Sequence, residues 1–304
     1  MTPIRRIAAD VGWLPISFVN AYFIGEAGRP WVLVDTGIPG RAKQILTATE
    51  ARFGAGARPE AIILTHGHFD HAGNALELAE HWDVPIYAHP LELPYLTGQS
   101  AYPPPDPTIG GAIGFLSRFM PSKPYDFGGR IQPLQANETP GLKDWQWLET
   151  PGHSPGHISL FRSSDRVLLA GDAFASMDME SWPGLITGRR TLSRAGAPFN
   201  CDWSATRTSV QKLAELKPDI VGCGHGTPYS SGPTSLRLAR FAARFRPPRR
   251  GRYVSQPAHT NERGVVSVPP APVDIVPFAT AASLIAVGIV LGAGYLDLED
   301  NRRR

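Results

Sequence analysis

Short apolar runs recur along the first 245 positions, each closed by glycine, proline or a polar residue, with amphipathic stretches between them. The runs at 18–24, 31–34, 61–64, 84–87, 145–148, 157–161, 167–170 and 220–222 are rich in β-branched and aromatic residues, which predicts strands. A further strand-like run follows Asp10. Apolar positions at helical spacing predict helices over 41–53, 73–81, 204–216 and 235–245. Strands alternating with helices argue for the α/β class.

Two stretches break this rhythm. Residues 91–142 hold Tyr102-Pro103-Pro104-Pro105-Asp106-Pro107 and the apolar Ile113, Phe115, Leu116, Phe119 and Met120, which reads as an irregular insert with a short helix. Residues 174–203 carry Met177, Met179, Trp182, Arg189, Arg190, Arg194 and Trp203. Irregular segments on a rigid scaffold commonly set binding specificity, so both are expected to wall a substrate pocket.

The pattern changes after 245. Residues 246–276, rich in Pro and Arg, read as an extended linker. Residues 277–296 then run 20 positions without a charge, enough at about 1.5 Å per residue to cross a hydrocarbon core of about 30 Å. Gly288 and Gly292 have the small-residue spacing that lets membrane helices touch. The expected organisation is a catalytic domain over 1–245, the linker, a single transmembrane helix and a charged tail over 297–304. The N-terminus, with Arg5, Arg6 and Asp10, does not resemble a signal peptide. A membrane-associated protein with its catalytic domain on the cytoplasmic side is therefore expected.

Composition narrows the function classes. With 304 residues, 42% of them hydrophobic and 19% charged, the chain is globular. Its two cysteines, Cys201 and Cys223, supply no disulfide framework, so a reducing compartment is expected and both read as small apolar fillers. The net charge of +3 does not call for nucleic acid. Much of the basic excess lies at 241–252 and at the terminus, where it suits anionic lipid as well. A small-molecule substrate is expected.

The chemistry concentrates in Thr65-His66-Gly67-His68-Phe69-Asp70-His71, directly after the apolar run 61–64. Imidazole and carboxylate are ligands that zinc prefers, and an extended segment turning into a helix can aim His66 and His68 at one ion and Asp70 and His71 at another. The remaining ligands should stand at the ends of later strands. Three segments qualify: Thr150-Pro151-Gly152-His153-Ser154-Pro155-Gly156-His157, Val167-Leu168-Leu169-Ala170-Gly171-Asp172, and Ile220-Val221-Gly222-Cys223-Gly224-His225-Gly226.

These residues resemble the metallo-β-lactamase-fold hydrolases, whose HxHxDH signature is matched by His66, His68, Asp70 and His71. A PGHSPGH turn, a GDA strand end and a GHG turn follow in the family's order, and Asp35 stands at its strand-ending acidic position. The resemblance implies a four-layer αββα sandwich with metals at the sheet edges. It assigns His66, His68 and His153 to one ion, Asp70, His71 and His225 to the other, and Asp172 as a bridge. Asp70 is the residue given the catalytic role as well. Asp35 is implied to orient ligands from behind, and His157 reads as structural. Asp172 stands where the best-known di-zinc β-lactamases use Cys, so the site resembles the glyoxalase II, lactonase and tRNA-processing nuclease type. Two zinc ions are implied, with manganese or iron(II) as alternatives. The implied activity is hydrolysis of a small-molecule ester, lactone or thioester by a metal-bound hydroxide. A phosphodiesterase or nuclease, and an iron-dependent sulfur dioxygenase, are the alternatives within the same fold. Glyoxalase II itself is not expected, since a Pro-rich linker replaces that family's helical substrate-binding extension.

Overall fold

The computed structural model describes residues 3–274 and 276. Its strands are β1 (Arg5–Arg6), β2 (Val11–Ile16), β3 (Val19–Ile24), β4 (Val32–Val34), β5 (Ala61–Ile63), β6 (Ile86–Ala88), β7 (Ile131–Pro133), β8 (Gln146–Glu149), β9 (Ile158–Arg162), β10 (Val167–Leu169), β11 (Ala175–Met177), β12 (Arg190–Ser193), β13 (Ile220–Gly222), β14 (His259–Asn261) and β15 (Gly264–Ser267). The α-helices are α1 (Ala42–Phe53), α2 (Phe69–Ala72), α3 (Ala75–Trp82), α4 (Leu93–Leu96), α5 (Gly111–Leu116), α6 (Trp182–Thr187), α7 (Trp203–Glu215) and α8 (Thr234–Arg244).

Strands β1 to β7 form one sheet in sequence order, antiparallel as far as β4 and parallel from β4 to β7. A second sheet has the order β13-β10-β9-β8. Neighbouring side chains on a strand point to opposite faces, and here both faces are buried, so the strands read as continuous apolar runs. Leu33 and Ile62 face α1 and α3 with Ile45 and Leu78. Their neighbours Val34 and Ile63 face the other sheet, where they meet Leu160, Val167 and Leu169. Leu168 and Val221 point outward again, onto Val210 and Leu213 of α7 and Leu238 of α8. Helices, sheet, sheet, helices: the four layers are those of the αββα sandwich.

The ligand-type residues share one end of this sandwich because each follows the C-terminal end of a strand. Asp35 follows β4 and His66 follows β5, while Asp172 follows β10 and His225 follows β13. Hydrogen bonds tie the two sheets together there. Asn20 of β3 donates from Nδ2 to the carbonyls of Cys223 (2.9 Å) and Gly226 (2.7 Å), and the Tyr22 hydroxyl donates to the Cys223 carbonyl (2.7 Å). Gly224 leaves no room for a side chain, since a Cβ would collide with Asp172 and His71.

The chain beyond 245 departs from the expected linker. The compact unit extends over Met1–Pro270, and a second unit is Ala271–Arg304. Tyr253 is buried in the core beneath α7 and α8, with Val254, Ala258 and Val268 against it. Its hydroxyl donates to the Pro104 carbonyl (2.7 Å), and the Ala258 N–H donates to the Cys201 carbonyl (2.9 Å). β14 and β15 close this segment as a hairpin. Proline and arginine content suggested an extended chain, but Tyr253 gives the segment an apolar anchor that composition alone hides. Among the described residues no helix is long and apolar enough to cross a membrane. The run 277–296, expected to be the transmembrane helix, and the tail 297–304 lie outside them.

Burial of Tyr253 makes a stability prediction. Tyr253→Ala should cost about 3 kcal/mol, as for other buried aromatic truncations, and a chain ending at Arg246 should melt below one ending at Pro270. Equal melting temperatures for the two truncations, measured by circular dichroism, would show that the segment is a passive linker after all.

Candidate metal centre

The first turn after β5 holds four of the expected residues. His66 and Gly67 continue from the strand, His68 stands in extended conformation just before α2, and Asp70 and His71 lie within that helix. His153 comes from the turn between β8 and β9, and Asp172 and His225 come from the ends of β10 and β13. All seven converge. His66, His68 and His153 form one group of mutually close ligand atoms; Asp70, His71 and His225 form a second; His66, His71 and Asp172 form a third that joins them. Within each group the atoms lie within 4.8 Å of one another. Asp172 stands 3.5 Å from His71 Nε2, 3.5 Å from His153 Nε2 and 3.1 Å from His225 Nε2, so it reaches both sides of the cluster.

Outer hydrogen bonds fix which nitrogen of each ring faces inward. His71 Nδ1 donates to Asp35 Oδ2 (2.8 Å), leaving Nε2 toward the cluster. His225 Nδ1 donates to the Phe18 carbonyl (2.8 Å), again leaving Nε2. His66 Nδ1 lies 3.1 Å from Thr65 Oγ1, which donates to Asp35 Oδ2 (2.8 Å), while the Thr65 N–H donates to Asp35 Oδ1 (2.8 Å). One carboxylate thus orients a ring in each of the two groups, the way outer-shell acceptors set histidine tautomers. Asp35 has φ of 58°, a left-handed conformation that Asp tolerates better than most residues.

The inward atoms make no hydrogen bond: His66 Nε2, His71 Nε2 and Asp172 Oδ1 are buried without one, although His71 Nε2 and Asp172 Oδ1 face each other at 3.5 Å. Buried polar atoms are almost always satisfied, and imidazole nitrogens aimed at a common centre with a carboxylate oxygen are the donor set of a divalent cation. The cation-free electrostatics carry the same demand. Burial pushes His66, His68 and His153 down, His153 to about 3, so these rings are neutral and offer lone pairs. Burial also opposes charge on His71, but Asp172 and Asp35 outweigh it and hold the ring at about 10. Asp172 sits well below the usual carboxylate range, because His225 and His71 overcome the burial that would raise it. The same carboxylates push His225 up as well, Asp172 foremost, against the burial that opposes charge there.

Two further residues support the cluster. His157 is buried beside it; its Nδ1 donates to the Thr150 carbonyl (3.0 Å) and its Nε2 accepts from the Asp172 N–H (2.8 Å), which fits a structural role. Glu92 went unnoticed in the sequence. Fully buried, it accepts from the Gly67 N–H (3.0 Å) and the Tyr102 hydroxyl on Oε2, and from Ser154 Oγ (2.7 Å) and the Gly156 N–H (2.7 Å) on Oε1. It clamps the turn that carries His66 and His68 to the turn that carries His153. The only sequence signal was an acidic residue amid the apolar Pro90-Leu91-Glu92-Leu93-Pro94.

A small cavity opens onto the cluster at His68, Asp70, His153, Asp172 and His225. Both expected wall segments contribute, Ile113 and Met120 from the first and Met179, Gly196 and Phe199 from the second. Phe18 and Phe69 complete the wall without having been expected there. Of the other wall residues expected, Met177 and Trp203 are buried in the protein's own cores, and Trp182 is half exposed. Arg194 pairs with Glu180, and the Arg190 guanidinium lies 4.0 Å over the Tyr229 ring.

Comparison with known proteins agrees with this geometry. A probable metallo-hydrolase of Bacillus subtilis, YflN, is 42% identical over 242 residues, covering 78% of this chain and 92% of the relative. A hydroxyacylglutathione hydrolase of Haemophilus influenzae, GloC, is 26% identical over 210 residues, covering 68% and 85%. Among solved structures, a B3 metallo-beta-lactamase with an active-site glutamic acid superposes with a TM-score of 0.57 at 20% identity, covering 80% of this chain and 88% of that one, a likeness of fold. The model of the metallo-beta-lactamase superfamily matches residues 14–225, and the chain belongs to that superfamily as a metallo-hydrolase.

Proposed function

We propose that the protein hydrolyses a small-molecule ester, lactone or thioester at a two-metal centre, with two zinc ions as occupants and manganese or iron(II) as alternatives. The observation that carries this reading is the set of inward atoms on His66, His71 and Asp172 that make no hydrogen bond within a largely buried cluster of ligand-type side chains. His66, His68 and His153 would hold one ion, Asp70, His71 and His225 the other, and Asp172 would bridge them. When bound, such a pair supplies Lewis acidity and brings the pKa of water toward about 7.

The chain's own residues do the rest. Asp35 holds His66 and His71 in the tautomers that leave Nε2 free, and His157 fixes the backbone of Asp172. Asp70 lines the cavity, and its carboxylate is assigned the catalytic role of orienting the attacking water and holding its proton. Water adds to the carbonyl carbon, the C–O or C–S bond breaks, and the proton passes to the leaving oxygen or sulfur. The relative named as a hydroxyacylglutathione hydrolase supports thioester chemistry in particular. With no Lys or Arg among the described residues that line the cavity, the phosphodiesterase alternative gains no support.

For the apolar run 277–296 we infer a single membrane anchor, with the preceding domain on the cytoplasmic side; its support is the sequence pattern alone. The full chain should stay in the membrane fraction through a carbonate wash, while a chain ending at Pro270 should be found in the supernatant. Release of both by carbonate would remove the anchor.

Two predictions concern the centre. Asp172→Ala and His68→Ala should each bring turnover to background against a panel of chromogenic ester, lactone, thioester, β-lactam and phosphodiester substrates, with metal content measured alongside. Full activity in both variants rejects the assignment, and bound iron with oxygen uptake on a persulfide would favour the dioxygenase instead. Asp35→Ala should weaken metal binding by about 10- to 100-fold, the usual effect of losing an outer-shell carboxylate. A competition titration with a chromogenic chelator checks this, and an unchanged affinity would contradict the orienting role.

A further inference from the structure

The cavity wall is far more apolar than the chemistry beneath it requires. Phe18, Phe69, Ile113, Met120, Met179 and Phe199 surround the opening to the metal cluster. Phe18 stacks on His225 with ring centroids 5.9 Å apart, and Phe199 lies 5.5 Å from His68, so aromatic surface begins right at the ligands. The charged groups that line the cavity are the cluster's own acids, Asp70 and Asp172, together with its histidines.

Two arginines of the neighbouring loop are committed elsewhere. Arg194 is held by both carboxylate oxygens of Glu180, and Arg190 lies over Tyr229. A thioester of glutathione brings two free carboxylates in its thiol half. In this cavity they would lose water and meet no lysine or arginine among the lining residues, a penalty of the kind that makes unpaired buried ions rare. An apolar chain would instead be drawn from water onto the phenylalanine, isoleucine and methionine side chains.

We propose that the cavity selects an uncharged ester or thioester with an apolar acyl chain, and turns away thioesters of anionic thiols such as glutathione. This rests on the hydrolase reading above and separates the protein's specificity from that of its hydroxyacylglutathione-hydrolase relative. The reaction is water plus acyl ester or thioester giving a carboxylic acid and the free alcohol or thiol. Ile113 and Met120, from the first insert, and Met179 and Phe199, from the second, are the specificity-determining residues; the metal cluster is indifferent to chain length.

The test uses the metal-loaded full chain. Para-nitrophenyl esters from acetate to hexanoate should show kcat/KM rising about three- to fourfold per methylene, the increment expected for burying each one. The hexanoyl thioester of an uncharged thiol should be cleaved with at least a tenfold higher kcat/KM than hexanoyl-glutathione. Met120→Lys, which places a cation at a half-buried position of the wall, should shift that ratio toward glutathione; the comparison between substrates in the unaltered protein stands even if the variant does not fold. A flat chain-length series, or equal or better cleavage of the glutathione thioester, overturns the inference while leaving the hydrolase reading in place. No turnover of any ester, lactone or thioester overturns the hydrolase reading itself.

Discussion

Five imidazoles and two carboxylates packed into one buried cluster form the constraint around which the rest of this structure is arranged. Isolated buried polar groups cost several kcal/mol each in lost hydration, and the fold offsets this only on the outer side, where Asp35, Thr65 and the Phe18 carbonyl satisfy the rings. Inward, the groups face one another. Without a cation, His71 keeps its proton at neutral pH, held at about 10 by Asp172 and Asp35 after burial has pulled the other way. A divalent ion bound there would supply positive charge in place of that proton.

Both sheets are needed to hold this cluster. β5 delivers His66, while β10 and β13 of the other sheet deliver Asp172 and His225. Slippage between the sheets would separate the groups, and the buried polar contacts of Asn20 and Tyr22 with the Cys223 and Gly226 carbonyls oppose it. Gly222 and Gly224 allow this approach, since Cβ atoms there would run into Tyr22 in one case and into Asp172 in the other. The small residues that punctuate the ligand motifs are packing requirements as much as turn signals.

What could be read in the sequence follows from how local each signal is. The strands β3 to β6, β9, β10 and β13 were legible because burial on both faces leaves largely apolar runs, and α1, α3, α7 and α8 because one face is periodic. The seven clustered side chains were legible because ligand-type residues are rare and fall directly after those runs. β7 and the β11–β12 hairpin were missed, being short segments inside inserts rich in Gly, Pro and Arg. The packed segment after 245 was misread for a related reason: one tyrosine anchors it, and a single residue makes no pattern. Phe18 and Phe69 were missed as pocket walls because an isolated aromatic in sequence carries no sign of the cavity it will face.

Glu92 shows most sharply what only three dimensions reveal. It belongs to the 91–142 insert, yet its two oxygens hold Gly67 beside His66 and His68, and Ser154 and Gly156 beside His153. The Tyr102 hydroxyl donates to the same carboxylate and accepts from the Gly67 N–H (2.9 Å), and its ring packs 4.5 Å from that of His68. The insert that supplies Ile113 and Met120 to the cavity wall is therefore anchored by buried hydrogen bonds to the turns that carry three of the clustered histidines. Losing one of these donors would leave a buried carboxyl oxygen short of a hydrogen bond, which is costly in the interior. One carboxylate thus joins the insert to both histidine-bearing turns, so wall and cluster are built on the same buried hydrogen bonds.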